Sequence, residues 1–189
     1  MTGRGLTPSQ TVGPFFHGLL NEPMNVLATP QTLGERIQME GIVYDGDRAP
    51  VPDAMVEIWQ ANAAGRYRHP ADQRAVPLDP VFVGFGRCGT DEKGHYSFDT
   101  IKPGPVPFDA QGVQAPHINV FVFARGLLDH VRTRVYFEDA PTSSQDAVLR
   151  LVPGPRRSTL LARRVAAGRT AYRFDIVLQG DGETVFFDL

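Results

Sequence analysis

Proline and glycine are spread through the whole sequence and leave few windows long enough for a helix. The 189 residues include 16 prolines and 19 glycines, almost one residue in five together. Proline is excluded from helix interiors and from the middle of β-sheets, and both residue types mark turns. No internal repeat of about 20 to 50 residues is present, which disfavours solenoids and propellers. The pattern is typical of a β-protein built from short strands.

Strand candidates are the windows with period-two alternation, or with many β-branched and aromatic residues, that end at turn residues. Ser143–Val152 is predicted as a short helix, capped by Ser143 or Ser144. About eight strands and little helix predict an all-β fold, a single-domain β-sandwich. The predicted strands are Glu35–Tyr44, Ala54–Gln60, Val81–Cys88, His95–Thr100, His117–Ala124, Val131–Phe137, Thr170–Leu178 and Thr184–Phe187, the last two forming a hairpin.

Length and composition fit one domain over residues 1–189, because 42% hydrophobic content supplies a core of that size. We expect an N-terminal arm and loops over residues 1–34 and the sandwich over residues 35–189. The arm has prolines at both ends and no amphipathic period, so it should lie extended over another surface. Phe15 and Phe16 of this arm would need a partner there.

The composition also bears on the setting of the protein. Cys88 is the only cysteine, so no intrachain disulfide can form, and we expect a reducing cytoplasm. No apolar run approaches the roughly 18 residues that span a bilayer. With a formal net charge of −2, the chain is expected to bind neither nucleic acid nor a membrane.

Two strand positions could carry chemistry. His117 and Asn119 are two residues apart, so they lie on one face of a strand and could converge on a metal, although the amide is a poor ligand. A hydrogen-bonded strand histidine beside a polar neighbour is the favoured explanation from these two residues alone. Arg125 follows the same strand and could bind a carboxylate or lie on the surface.

Seven arginines and no acidic residue occur between Arg150 and Arg173. This run indicates either a solvated or interface surface or an anion funnel.

Several longer motifs, in the same order, resemble the intradiol ring-cleaving dioxygenases over nearly the whole chain. This resemblance implies a β-sandwich that cleaves the ring of a catechol with O2. The motifs are Thr7-Pro8-Ser9-Gln10-Thr11-Val12-Gly13-Pro14, Glu57-Ile58-Trp59-Gln60-Ala61-Asn62, Gly65-Arg66-Tyr67-Arg68, Gly94-His95-Tyr96-Ser97-Phe98, Thr100-Ile101-Lys102-Pro103-Gly104 and Ala115-Pro116-His117-Ile118.

The resemblance also implies a metal site, which this sequence retains only in part. In the family, Fe(III) is held by two tyrosinates and two histidines. The motifs place these ligands at Tyr67, Val106, His117 and Asn119, and an arginine of catalytic chains falls on Gln114. Valine cannot ligate and an amide is a weak neutral donor, so we expect this chain to bind no metal of its own and to contain no complete catalytic set.

The resemblance is strongest to the iron-free α chain of two-chain members, whose homologous β chain binds Fe(III). It implies that αβ units repeat in a larger symmetric assembly. The small aromatic acid 3,4-dihydroxybenzoate would be cleaved to 3-carboxy-cis,cis-muconate, within the β-ketoadipate pathway. Thr11 and Pro14 of the arm, together with Arg125, are the residues expected to line the partner's substrate pocket.

Two other functions remain open at this stage. The chain could be a stand-alone intradiol enzyme with an atypical metal set, using Tyr67, His117, Tyr96 and His69. It could also be a non-enzymatic β-sandwich interaction module that kept the fold and lost the chemistry.

Overall fold

The computed structural model describes residues 18–20, 22, 24–108, 112–140, 146–167 and 169–188. Within these residues, eleven strands account for most of the regular structure, with one short α-helix and, besides a single 3-10 turn at residues 18–20, one longer 3-10 helix. The strands are β1 (Arg36–Tyr44), β2 (Met55–Gln60), β3 (Phe85–Gly89), β4 (His95–Ile101), β5 (Val106–Pro107), β6 (Val113–Gln114), β7 (His117–Phe123), β8 (Val131–Phe137), β9 (Leu161–Ala167), β10 (Arg169–Arg173) and β11 (Ile176–Val177). Helix α1 is Ala147–Leu151, and the 3-10 helix is Gly154–Leu160.

The strands form two layers that are joined through β9. The first layer has the order β3-β2-β7-β8, with antiparallel neighbours throughout. In the second layer, β1 pairs with β4 on one side and with β10 and β11 on the other. The start of β9 pairs with β8 and the rest pairs with β10, so the ladder crosses from one layer to the other. The predicted β-sandwich is confirmed.

The main core lies between the two layers and follows from the alternation of side chains along the strands. On β7, Ile118, Val120 and Val122 point inward and are fully buried. Met39 and Phe98 face them from the second layer. The other side chains of β7 lie on the outer face of the first layer, where His117 is only 2% exposed because a second, smaller core covers it.

The predicted strands before β9 match the structure closely except for Val81–Cys88, of which only the second half is extended. Asp79 explains the difference, because its carboxylate accepts hydrogen bonds from the backbone of Leu33, Val81 and Phe82. These bonds fold the chain into a turn, and β3 begins only at Phe85.

The helix cap was predicted wrongly. Helix α1 begins at Ala147, and Asp146 is its cap, accepting a hydrogen bond from the Leu149 amide at 2.7 Å. Ser143 and Ser144 lie outside the described residues. A carboxylate caps a helix as well as a hydroxyl does. Which residue becomes the N-cap of α1 therefore depends on where the chain turns into the helix.

The C-terminal hairpin was also predicted wrongly. Thr170–Leu178 is interrupted because the Asp175 side chain accepts the Ile42 amide in place of a backbone carbonyl. Thr184–Phe187 is not a strand. The Thr184 amide donates to the Val177 carbonyl, but the Val177 amide donates at 2.9 Å to the Thr184 hydroxyl and not to its carbonyl, so the ladder does not continue.

No α-helix among the described residues has the length and apolar character that a bilayer crossing needs. The assignment of the whole chain to a single domain stays a prediction.

Candidate functional site

Two loops meet over the outer face of the first layer because two glycines let their backbones touch. Gly65 has a φ of +81°, and a side chain there would come within 2.0 Å of the Pro105 carbonyl. Gly104 approaches the same loop closely enough that a Cβ would lie 2.4 Å from a carbonyl oxygen. Any larger residue would separate the loops. The contact brings Tyr67 beside Val106.

Asn62 gives the first of these loops its shape. Its side-chain oxygen accepts the amides of Ala64 and Arg66, at 3.0 and 2.9 Å. Its side-chain nitrogen donates to the Pro77 carbonyl. Asn62 is 4% exposed, so these bonds satisfy a buried amide and turn the chain toward the sheet.

Tyr67 is fixed through its backbone and through its ring. The Asp72 carboxylate accepts the Tyr67 amide at 2.8 Å and forms a salt bridge with Arg74 at 2.5 Å. The hydrogen bonds from Arg74 hold the pKa of Asp72 well below its usual range. The Tyr67 ring stacks on Trp59, with 5.8 Å between centroids. The hydroxyl is thereby held in one place above β7.

At that place, Tyr67, His117 and Asn119 form a hydrogen-bonded cluster. His117 Nδ1 lies 2.7 Å from the Ala115 carbonyl, which only accepts, so Nδ1 carries the proton and Nε2 is the acceptor. The Tyr67 hydroxyl is 3.4 Å from that Nε2 and therefore donates to it. Asn119 Nδ2 donates to the Tyr67 oxygen at 3.4 Å and to the Trp59 carbonyl at 3.2 Å.

The electrostatics of the cluster favour neutral side chains. Burial lowers the pKa of His117 to about 4, and the nearby Arg134 charge acts in the same direction. Burial raises the pKa of Tyr67 above its usual range. At neutral pH, the cluster holds an uncharged imidazole and an uncharged phenol.

The two remaining predicted positions lie beside this cluster. Val106 and Gln114 are partners in the two-stranded β5–β6 sheet, and both are largely buried. Val106 and Tyr67 line one cavity of about 400 Å³. Gln114 Oε1 accepts a hydrogen bond from Arg134 at 2.7 Å. The structure thus brings together all five positions that the motifs pointed to.

The donors at these positions do not fit ferric iron. A trivalent ion needs anionic oxygen and imidazole ligands. Here the phenol is protonated and donates to the imidazole, the amide nitrogen of Asn119 faces that phenol, and Val106 offers no donor atom. In the described part of the chain, no group of three or more His, Cys, Asp or Glu side chains could hold a metal ion.

The alternative ligand set is not assembled. Tyr96 lies in the main core, 1% exposed, and its hydroxyl donates to the Phe174 carbonyl at 2.6 Å. His69 lines the same cavity as Tyr67, but its Nδ1 accepts the Ala71 amide at 3.2 Å. An atypical iron site that uses Tyr96 is therefore wrong, because the first layer of the sandwich lies between Tyr96 in the core and His117 on its outer face.

Sequence reasoning missed three residues of the site. Arg134 and Tyr136 on β8 lie directly opposite Asn119 and His117. The Tyr136 hydroxyl donates to Asp146, whose carboxylate also accepts the Ala115 amide. The alternation along β8 does place Arg134 and Tyr136 on one face, but only the pairing register shows which residues they oppose.

Arg125 lies beyond the other end of β7. Its guanidinium forms an ion pair with Asp53, and its side chain is 68% exposed. Of the other residues predicted to line a partner's pocket, Thr11 and Pro14 lie outside the described residues.

The arginines between Arg150 and Arg173 are less isolated than the sequence indicates. Arg156 pairs with Glu183, and Arg173 pairs with Asp175. Arg157 donates to two backbone carbonyls.

Comparison with known proteins identifies the family to which the chain belongs. The model of a dioxygenase family, described as "Dioxygenase", matches residues 13–180. The protocatechuate 3,4-dioxygenase α chain of Pseudomonas putida is 46% identical over 197 aligned positions, covering 96% of each chain. The chain belongs to the intradiol dioxygenase family.

Two further relatives support this membership. The protocatechuate 3,4-dioxygenase β chain of Burkholderia cepacia is 38% identical, covering 93% of this chain and 77% of that one. The solved dioxygenase domain of a carbohydrate-binding fusion protein from Streptomyces sp. SirexAA-E has a TM-score of 0.65 at 27% identity, covering 93% of this chain and 99% of that one. The intradiol dioxygenase resemblance is confirmed.

Proposed function

We propose that this chain is the iron-free α chain of a two-chain protocatechuate 3,4-dioxygenase and pairs with a homologous β chain that binds Fe(III). The observation that carries the proposal is the cluster around Tyr67. Its side chains are hydrogen-bonded to one another and to the Ala115 and Trp59 carbonyls, and two of the four expected ligand positions hold Val106 and Asn119. The similarity to both an α and a β chain supports two related chains in one enzyme.

The proposed reaction of the complex converts 3,4-dihydroxybenzoate and O2 to 3-carboxy-cis,cis-muconate, a step in the breakdown of aromatic acids. The ring opens between the two hydroxyl-bearing carbons. In the complex, this chemistry belongs to the β chain. We assign no step of it to the Tyr67 cluster, because Val106 and Asn119 stand at two of the four ligand positions and the Tyr67 phenol is hydrogen-bonded to His117.

The contribution of this chain is to shape the partner's pocket. Arg125 is mostly exposed, and in the described part of the chain its ion-pair partner is Asp53, so its guanidinium can reach a ligand carried by another chain. A guanidinium binds a carboxylate through two parallel hydrogen bonds, and the substrate carries a carboxylate remote from the reacting hydroxyls. We assign Thr11 and Pro14 of the arm to the wall of the same pocket. The αβ unit would repeat in a larger symmetric assembly in the cytoplasm.

The test is to produce the full chain alone and together with its β chain, and to measure iron, mass and activity of each. We expect the chain alone to be colourless and inactive, and the complex to contain one ferric ion per pair of chains. Near-stoichiometric iron with a visible tyrosinate-to-iron band in the chain alone would falsify the proposal. Failure of the two chains to form an active complex would instead favour an interaction module without enzymatic activity.

A further inference from the structure

One charged side chain, Arg134, lies beside the Tyr67 cluster. Arg134 projects from β8 directly opposite Asn119, on the face that also bears His117. Directly opposite residues on neighbouring strands have Cβ atoms about 5 Å apart. The guanidinium is fixed there, because its Nη1 donates to Gln114 at 2.7 Å.

The positive charge of Arg134 has no direct counter-ion in the part of the chain that the structure describes. Within the described residues, Arg134 forms no salt bridge, and its Nε is buried without a hydrogen-bond partner. The carboxylates of the Tyr67 loop and of the α1 cap are engaged elsewhere. Asp72 pairs with Arg74, and Asp146 accepts hydrogen bonds from Tyr136 and from the start of α1.

We infer that Arg134 excludes ferric iron from this chain, so that restoring the missing ligands would not by itself restore metal binding. The inference rests on the proposed function, in which the iron belongs to the partner. Two like charges a few ångströms apart repel strongly at the edge of a protein interior, and a trivalent ion triples the effect. A guanidinium does not deprotonate in proteins, so the repulsion cannot be relieved by loss of a proton.

The contact with Gln114 adds a consequence for any attempt to rebuild the site. The side chain of Gln114 supplies the acceptor that holds Arg134. The Gln114→Arg change, which the family motif calls for, would remove this acceptor and set a second cation beside the first. Rebuilding the site therefore requires the loss of Arg134 before Gln114 is changed.

The test compares two variants of the full chain. The first carries Val106→Tyr and Asn119→His, and the second adds Arg134→Gln. Each is dialysed against graded ferric citrate, and bound iron is measured by elemental analysis and by the visible tyrosinate-to-iron band. We expect the added Arg134→Gln change to lower the apparent Kd for iron by about tenfold or more.

Control variants distinguish the local charge at position 134 from the shape of the side chain there and from the net charge of the whole chain. Arg134→Met in the same background is a second neutral replacement, in case the glutamine variant does not fold. Arg134→Lys keeps a positive charge but loses the fork geometry, so it should bind iron more weakly than Arg134→Gln. Arg163→Gln removes an exposed positive charge on β9 and should leave iron binding unchanged.

Each outcome decides the inference. Equal iron affinity with and without Arg134, or no iron binding in any rebuilt variant, would show that its charge is not what excludes the metal. Arg134→Lys binding as tightly as Arg134→Gln would point to shape instead. Stoichiometric iron in the unaltered chain would contradict the proposed function itself, which is a different result from either of these.

Discussion

The two ends of β7 lie in opposite environments. At the first residue, His117 is 2% exposed, and both ring nitrogens have hydrogen-bond partners within the chain. Beyond the last residue, the Arg125 side chain is 68% exposed and pairs with Asp53. The first end is a buried polar cluster, and the second end presents a charged side chain at the protein surface.

This contrast separates two kinds of contribution. A buried polar network whose groups satisfy one another stabilises the fold but has little hydrogen-bonding capacity left for a ligand. An exposed guanidinium adds little to stability and keeps most of its donors available. The contrast supports the proposal that this chain contributes to its enzyme through Arg125, whereas the Tyr67 cluster stabilises the fold. Four predictions test it, from the largest expected effect to the smallest.

Removing the imidazole at the buried end should have the largest effect. His117→Ala leaves a cavity and takes the partner from the Tyr67 hydroxyl and the Ala115 carbonyl. We expect the free energy of unfolding to fall by about 3 to 4 kcal/mol. Urea denaturation of the full chain measures it, and Arg125→Ala is the matched control at the other end. Equal losses for the two variants would break the contrast.

Acid should destabilise the buried end through the same histidine. Burial lowers the pKa of His117 to about 4 in the folded chain, whereas the unfolded value is about 6.5. The unfolded state therefore takes up a proton first as pH falls between these values. Up to about 3 kcal/mol of stability should be present above pH ~6.5 and lost as the pH falls to ~4.

The comparison is between the parent chain and His117→Gln, which removes this titration and leaves the carboxylates in place. Unfolding free energies are measured at several pH values across the window. The parent should lose more stability than the variant as the pH falls. Parallel pH profiles would mean that His117 is protonated equally easily in both states.

At the exposed end, the expected effect is on activity. In the αβ complex, Arg125→Ala should lower kcat/KM for 3,4-dihydroxybenzoate by about ten- to a hundredfold, because a charge-assisted pair with the substrate is lost. Catechol, which lacks the carboxylate, should be affected much less, and Arg125→Lys should be intermediate. Equal losses for both substrates would indicate a structural role at the interface, and no loss would remove Arg125 from the pocket.

The smallest expected effect is the contribution of the Asp53–Arg125 ion pair to stability. The pair is exposed on the arginine side, and exposed pairs contribute about 0.5 kcal/mol. A double-mutant cycle with Asp53→Ala and Arg125→Ala in the isolated chain gives the coupling energy. A coupling well above this value would mean that Arg125 is held too firmly to turn toward a ligand.

Local patterns were sufficient for most of the sandwich. Burial alternates throughout Arg36–Tyr44 and from Ile118 onward in His117–Phe123, and Val131–Phe137 is rich in β-branched and aromatic residues, so these elements were predicted almost to the residue. Strand β9 was missed because a run of small and charged residues, Leu161–Ala167, shows no such alternation. Its strand structure depends on pairing with β8 and β10.

Most positions of the candidate site, like most of the strands, were predicted from the sequence. Motifs identified Tyr67, Val106, His117 and Asn119, and the structure places them around one small region. The role of Arg125 stays a prediction, and Thr11 and Pro14 lie outside the described residues. The hydrogen bonds that close the cluster involve groups about 50 residues apart along the chain, so no local pattern contains them.

The sequence by itself determined the fold class, the family and the absence of two iron ligands, because strand alternation, turns and motif residues are local properties. Only the tertiary structure decided that Arg134 faces Asn119 and that Asp146 joins the cluster. Those contacts depend on the register between β7 and β8 and on where α1 docks. A shift of one residue in that register would turn Arg134 toward the core, and burial of hydrophobic side chains on the inner face, which fixes the register, is a property of the whole sandwich.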